Sequence, residues 1–191
     1  LENIDVSENP IFVFVDGVLM DREMTQIILC IPSKSGNYTI PSTVITICKE
    51  AFYACQRLTS ITISNSITSI GALAFFNCNG LTSVTIPKSV ISIGNYAFSW
   101  CTSLKFLVIP DSVTSIGHYV FKNCTKLTEF FIPSSVTSIG INPFVECEQL
   151  RRIEVAEGSN HFKVVDGVLF NKEMTHLISY TACTQSNYTI P

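Results

Sequence analysis

Five cysteines in the middle of this sequence stand 23 residues apart, without exception. They are Cys55, Cys78, Cys101, Cys124 and Cys147. Disulfide frameworks and zinc sites place cysteines at short spacings such as CxxC, and the sequence contains no such pair. A fixed long period is instead typical of stacked repeats, in which one structural unit recurs along an axis. The period therefore predicts a repeat architecture.

Further apolar columns follow the same period when residues 40–61 are aligned with the four copies after them, the last at 132–153. Phenylalanine occupies one column, at Phe52, Phe75, Phe98, Phe121 and Phe144. Leucine occupies another, at Leu58, Leu81, Leu104, Leu127 and Leu150. One unit of this length cannot bury so many apolar groups alone. Coils stacked about 4.8 Å apart would turn each column into a ladder inside one shared core.

Each unit contains two segments that alternate apolar and polar residues, which is typical of short strands. Examples are "LTSVTI" at 81–86 and "VISI" at 90–93. The glycines that follow, Gly71, Gly94, Gly117 and Gly140, predict a bend with an unusual backbone conformation. The segment "NYAFSWC" at 95–101 predicts a single helical or 3₁₀ turn that closes the coil. We therefore expect a mainly β solenoid of short strands plus helical turns.

A second, longer period surrounds these coils. The segment "DGVLMDREMTQII" at 16–28 corresponds to "DGVLFNKEMTHLI" at 166–178, an offset of 150 residues. An Asp-Gly pair between apolar runs predicts a two-residue hairpin turn, so each copy is expected to form a small β-meander. Both ends of the sequence lie inside this pattern, which predicts that it is part of a longer protein.

These patterns predict three regions. Residues 1–36 form the end of a repeat plus a β-hairpin island, and residues 37–157 form five 23-residue repeats. Residues 158–191 form a second β-hairpin island and the start of the next repeat block.

The repeat resembles the leucine-rich repeats of the BspA-like (treponemal-type) family, whose unit is roughly LxxIxIPxxVxxIGxxAFxxC. "LTSVTIPKSVISIGNYAFSWC" at 81–101 follows this pattern, and the five copies depart from it at Cys48, Ser64, Val120 and Pro143. The resemblance implies a leucine-rich-repeat solenoid with inserted β-hairpin islands. It also implies a surface protein of the kind found on mucosal bacteria and trichomonad-like protozoan parasites.

His118 and Cys124 are six residues apart and could form a nucleophile with its base, or half of a metal site. The column of His118 varies between Lys49, Ala72, Asn95 and Ile141, which favours an exposed position. Cys124 belongs to a column between the Phe and Leu ladders, where a thiol is a small buried hydrophobe. We therefore predict that both residues are structural.

No catalytic signature is present: GxGxxG, GxxxxGK[ST], GxSxG and HExxH are all missing. The sequence therefore predicts no enzyme, no metal site and no cofactor. Cysteines on neighbouring coils would lie within disulfide range, but parallel Cβ vectors disfavour the bond.

Composition argues against two other classes of partner. Charged residues make up 14% of the chain, below the roughly 25% of ordinary globular proteins. The net charge is −3 and the longest basic run is Arg151-Arg152, which argues against nucleic acid. No apolar run approaches the ~20 residues of a membrane span.

The outward face of the first strand changes character along the stack. Early coils carry Ser and Thr there, whereas later coils carry three apolar residues with three charged ones around them. These candidate binding residues are Phe106, Val108, Phe131, Glu129, Arg152 and Glu154. An apolar cluster with a charged rim is typical of a protein contact. The alternative is that the apolar side chains cover one another or contact a neighbouring island.

We expect Val108 and Phe131 to be direct cross-strand neighbours. Trp100 with Phe76 is a second candidate on the opposite flank, unless the indole is covered by a loop. Three N-x-[ST] triplets mark possible glycosylation sites at Asn37, Asn123 and Asn187.

The resemblance implies a non-enzymatic, adhesin-like binding module at the cell surface or secreted. Its expected partner is a host or matrix protein or a glycan, bound along the solenoid surface. Two alternatives stay open. The repeats could be a structural stalk or self-association module that displays another domain, or an intracellular or immune-type scaffold.

Overall fold

The computed structural model describes residues 3–181, which contain sixteen β-strands and no helix. In chain order the strands are β1 (Phe12–Val15), β2 (Val18–Asp21), β3 (Gln26–Cys30), β4 (Gly36–Thr39), β5 (Thr46–Ile47), β6 (Leu58–Thr62), β7 (Ser69–Ile70), β8 (Ser83–Thr85), β9 (Ser92–Ile93), β10 (Ser115–Ile116), β11 (Glu129–Ile132), β12 (Ser138–Ile139), β13 (Arg152–Val155), β14 (Phe162–Val165), β15 (Val168–Asn171) and β16 (Leu177–Tyr180).

Most strands lie in two files of parallel strands. The first file contains β4, β6, β8, β11 and β13, and the second contains β5, β7, β9, β10 and β12. Partners within a file differ by 23 residues, as in the pairs Ile61–Val84 and Ile70–Ile93. The sequence period is therefore one turn of the chain around a common axis, and the predicted solenoid is confirmed.

The phenylalanine column forms a continuous stack inside the solenoid. The ring centroids of successive phenylalanines lie 5.1, 5.2, 5.9 and 5.7 Å apart, with the planes within 14° of parallel. These rings are Phe52, Phe75, Phe98, Phe121 and Phe144. All five are buried in one hydrophobic core that also includes residues of both meanders. Offset stacking of rings at this separation stabilises the core beyond the burial of area alone.

The segment that closes each coil is a pair of tight turns, and the predicted helical turn is wrong. In residues 95–101, Tyr96 and Trp100 adopt left-handed backbone angles, with φ of 57° and 64°. The N–H groups alternate: Phe98 donates to the Val120 carbonyl of the next coil at 3.0 Å, whereas Ser99 bonds within the turn. A helix needs all of these N–H groups for bonds along its own axis. Half of these N–H groups donate to carbonyls of the next coil instead, so the helix does not form.

The glycine column was predicted to need an unusual backbone angle, and that reason is also wrong. Gly94, Gly117 and Gly140 do not have positive φ. A Cβ atom on Gly117 would instead lie 2.6 Å from the backbone nitrogen of Asn95 in the preceding coil. Glycine is therefore present because two backbones approach closely. Cys48 takes this place in the first coil, where the neighbour is the hairpin strand β3.

The two meanders have the predicted hairpins. Asp16-Gly17 and Asp166-Gly167 form the two-residue turns, all four with positive φ. Each meander also has one register shift, between Leu19 and Met20 and at the equivalent 169–170. The first meander is less separate than an island, because β3 pairs in parallel with β5 and joins the second file in one eight-stranded sheet. The division at residues 36 and 157 stays a prediction.

Candidate binding surface

His118 and Cys124 have separate structural partners. The Nδ1 atom of His118, which is exposed, accepts a hydrogen bond from the Ile141 N–H at 2.9 Å. Cys124 is fully buried, and its Sγ donates to the Phe98 carbonyl at 3.2 Å. The imidazole is thus hydrogen-bonded to the following coil, and the thiol is hydrogen-bonded to the preceding coil. This arrangement supports the structural interpretation of both residues.

The cysteine column forms a ladder of thiol hydrogen bonds. From Cys78 onward, each Sγ donates to the carbonyl of the phenylalanine in the preceding coil, at 3.0–3.2 Å. The seven cysteines that the structure describes are free thiols. Burial raises the pKa of the Cys78 and Cys147 thiols to about 12, and raises the pKa of Cys101 and Cys124 well above its usual range. These groups stay protonated at neutral pH and are poor nucleophiles.

This ladder predicts a specific pattern of thiol reactivity. In a Cys183→Ser background near pH 8, Cys48 is expected to be alkylated by iodoacetamide in the native protein, because it is half-buried. Cys101 and Cys124 are expected to react only after unfolding, since the thiolate is the reactive species and they are inaccessible. Mass spectrometry of digested samples measures each site. Native alkylation of Cys101 as fast as that of Cys48 would contradict the ladder.

The predicted apolar cluster is exposed on the first file. The exposed fractions of Phe106, Val108 and Phe131 are 56%, 73% and 49%. No ladder pair joins Val108 to Phe131 among residues 3–181, so the predicted cross-strand pair is not formed: Val108 has a bridge to Thr85 of the preceding coil, and β11 pairs with β13 of the following coil. The file is therefore interrupted between the sheet β4–β6–β8 and the pair β11–β13.

We attribute this interruption to Phe130. Its ring points into the core and lies 5.0 Å from Phe121 and 4.7 Å from Phe144, measured between ring centroids. The neighbouring coils carry the smaller Leu107 and Ile153 at the same position. A larger side chain in a close-packed interior forces the backbone to shift. Consistent with this shift, the Thr128 N–H reaches the Lys105 carbonyl at a long 3.4 Å.

A groove lies at the interruption, with a volume of about 270 Å³. All six candidate binding residues line it: Phe106, Val108, Phe131, Glu129, Arg152 and Glu154. Its lining comes from three neighbouring coils: residues 106–109, residues 129–131 of β11, and Arg152 and Glu154 of β13. The structure thus brings together every residue that the outward-face pattern selected. That these residues bind a partner stays a prediction.

Two further cavities adjoin this groove and share lining residues with it. One, of about 390 Å³, is lined by Lys105, Lys126 and Gln149 and shares Phe106 and Glu129 with the groove. The other, of about 650 Å³, is lined by residues 153–159 and the second meander and shares Phe131 and Glu154. We call these three adjoining parts the outer groove.

Charges are distributed unevenly along the outer groove. Arg152 and Glu154 form an ion pair in its centre, and Glu129 lies opposite Arg152 in the ladder. Lysines line both ends of the groove: Lys105, Lys126, Lys163 and Lys172. These lysines are not among the candidate residues that the sequence predicts. The sequence does signal Lys105, because it interrupts a column of Thr59, Thr82 and Thr128. It does not signal the lysines of the second meander, because the 23-residue period does not predict where the meander lies relative to the coils.

The second aromatic candidate consists of Trp100 and Phe76, and these two residues have different surroundings. Trp100 is 41% exposed, so no loop covers it fully. Phe76 stacks on Tyr53 of the preceding coil with ring centroids 5.1 Å apart. Phe76 is thus engaged within the stack.

The glycosylation candidates differ in accessibility. Asn37 is exposed on β4, and its Oδ1 accepts hydrogen bonds from the hydroxyls of Thr59 and Ser60. Asn123 is half-buried in a left-handed turn, and its Nδ2 donates to Glu146 at 3.0 Å. Asn187 lies outside the described residues. All three stay predictions, and the geometry favours Asn37 over Asn123.

Residues 3–181 contain no helix long and apolar enough to cross a membrane. In the same range, no group of three or more His, Cys, Asp or Glu side chains is placed to hold a metal ion.

Comparison with known families gives a match over most of the chain. The model of the BspA type leucine rich repeat region, which comprises six copies, matches residues 33–151 and 68–186. None of the curated proteins compared with the chain matches it in sequence.

Several solved structures are similar to this one. A leucine-rich repeat protein of T. pallidum (TpLRR) is 28% identical with a TM-score of 0.66, over 77% of this chain and 69% of its own. One from Bacteroides ovatus is 31% identical with a TM-score of 0.62, over 75% and 39%. The pneumococcal vaccine antigen PcpA is 26% identical with a TM-score of 0.66, over 96% and 57%. The chain spans less than two thirds of the last two.

Proposed function

Because this chain belongs to the BspA-type leucine-rich repeat family, we propose that it is a non-enzymatic, adhesin-like module that binds a protein through its solenoid surface. The outer groove is the observation that carries the proposal. It combines three exposed apolar side chains with a charged rim, which is the composition of a protein contact. Repeats of this kind offer an extended surface that suits recognition of large partners.

We place the protein at the cell surface or outside the cell, as part of a longer chain. The likeness to PcpA supports this placement, since that protein is described as a vaccine antigen. The partner is then a protein of a host cell, of the matrix or of a neighbouring cell. The absence of catalysis is part of the proposal and is supported by the hydrogen bonds that engage His118 and Cys124 with backbone groups.

The test is a binding assay on cultured epithelial cells and on an immobilised extracellular-matrix preparation. The variant Phe106→Ser/Phe131→Ser is expected to bind at least about tenfold more weakly than the unchanged protein, because buried aromatic anchors dominate contact energies. The measurement is the bound fluorescence of labelled protein over a concentration series.

The matched control is Ile45→Ser/Ile91→Ser. These two isoleucines are also half-exposed, at 52% and 51%, but lie beside the second file. They should leave binding within about twofold of the unchanged protein. Equal binding by the two variants would overturn the proposed site, and a lack of binding by the unchanged protein would favour a structural stalk.

A further inference from the structure

We propose that the outer groove accepts an extended polypeptide segment of the partner, with apolar side chains in its middle and carboxylates at its ends. This inference rests on the proposed function and specifies the chemistry of the partner. Three features of the groove carry it: its direction, its apolar lining and the charges.

The direction of the groove follows the strands. Along a single coil, Gln149 lines its first part, Glu154 its centre and Glu157 its last part. Eight residues separate Gln149 from Glu157, so the groove is at most roughly 26 Å long at ~3.3 Å per extended residue. That length matches a strand-like segment of about eight residues.

The apolar lining of the central part suits an extended occupant. This part runs over three neighbouring coils, at residues 106–109, 129–131 and 152–154, with its apolar side chains in the middle. An extended chain points every second side chain to one face and can place those side chains between Phe106, Val108 and Phe131.

The charges favour acidic ends on the occupant. Five cationic and three anionic side chains line the outer groove, a net charge of +2 on a protein whose net charge is −3. Arg152 and Glu154 neutralise each other in the centre. The lysines at the two ends form no ion pair with another described residue, and Lys172 donates a hydrogen bond to the Ser159 carbonyl at 2.8 Å. Carboxylates on the occupant would supply ionic partners for these lysines.

The experiment is a selection from a phage-displayed library of random peptides of about 12 residues, long enough to fill the groove. The bait is the whole chain, with counter-selection on Phe106→Ser/Phe131→Ser. Enriched peptides are expected to alternate apolar and polar residues and to carry Asp or Glu at their ends. Apolar residues at spacings of three and four, or basic ends, would overturn the proposal, as would the failure to enrich any peptide.

A synthetic copy of an enriched peptide is then titrated by fluorescence anisotropy. Its Kd should rise about three- to tenfold for Lys105→Gln/Lys126→Gln and with added salt, and stay unchanged for the control Lys49→Gln/Lys88→Gln. Equal effects of both lysine pairs would contradict the charge argument.

The outcomes separate this inference from the proposed function. Loss of cell binding by the phenylalanine variant without enriched peptides overturns the inference alone. Enriched peptides together with unchanged cell binding overturn the proposed function alone. Sedimentation that shows a dimer of the unchanged chain, lost in the phenylalanine variant, would assign the groove to a second copy and overturn the peptide proposal.

Discussion

Replacing Phe98 with alanine is expected to lower the free energy of unfolding by about 3–5 kcal/mol. The ring is fully buried and stacks on Phe75 and Phe121, with centroids 5.2 and 5.9 Å away. Its removal leaves a cavity between two coils and breaks two stacked contacts. Because each repeat of a solenoid is stabilised by its neighbours, this loss weakens both interfaces of the central coil. Urea unfolding followed by circular dichroism measures the change.

Phe106→Ala is the matched control for this prediction. It is the same substitution eight residues away on the outside of the solenoid, where the side chain is 56% exposed. Its effect should stay within about 0.5 kcal/mol, as for most surface substitutions. If the two variants lose the same stability, the phenylalanine column is not the core of the protein.

Gly117→Ala is expected to lower the free energy of unfolding by about 1–3 kcal/mol. The new Cβ would lie 2.6 Å from the Asn95 backbone nitrogen and 2.7 Å from the Gly94 carbonyl carbon, closer than real contacts allow. The backbones of two coils must therefore separate. Replacing glycine also makes the unfolded chain less flexible, which opposes the loss by about 0.4–1 kcal/mol. The same urea titration measures the net effect.

The control for this prediction is Cys48→Ala in the same column. The first coil already accommodates a side chain there, so the change should cost less than about 1 kcal/mol. A neutral or stabilising Gly117→Ala would mean that the coils have room for a methyl group, and would contradict the close approach of their backbones.

Features that depend on one period of sequence were predictable. Periodic apolar positions such as Phe98 and Leu104 report which side chains face inward, because every coil repeats the same environment. The outward positions of Phe106 and Phe131 followed from the alternation within a strand. The Asp16-Gly17 hairpin followed from local turn chemistry.

Features that depend on contacts between coils were not predictable. "NYAFSWC" resembles a helical turn, and only the hydrogen bonds to the next coil, such as Trp100 N–H to the Lys122 carbonyl, favour the turns instead. The reason for Gly117 lies in the backbone of Asn95, 22 residues earlier. The column of Leu107, Phe130 and Ile153 shows that Phe130 is the larger side chain, but it does not show that the pairing before β11 is lost.

Nuclear Overhauser effects between the rings of selectively labelled phenylalanines test the stacked coils most directly. The predicted result is a chain of contacts that joins each ring to the next along Phe52, Phe75, Phe98, Phe121 and Phe144. Rings two coils apart, at about 10 Å, should show none. Contacts between Phe52 and Phe144, or rings without neighbours in this order, would contradict the stack on which the groove and its proposed occupant depend.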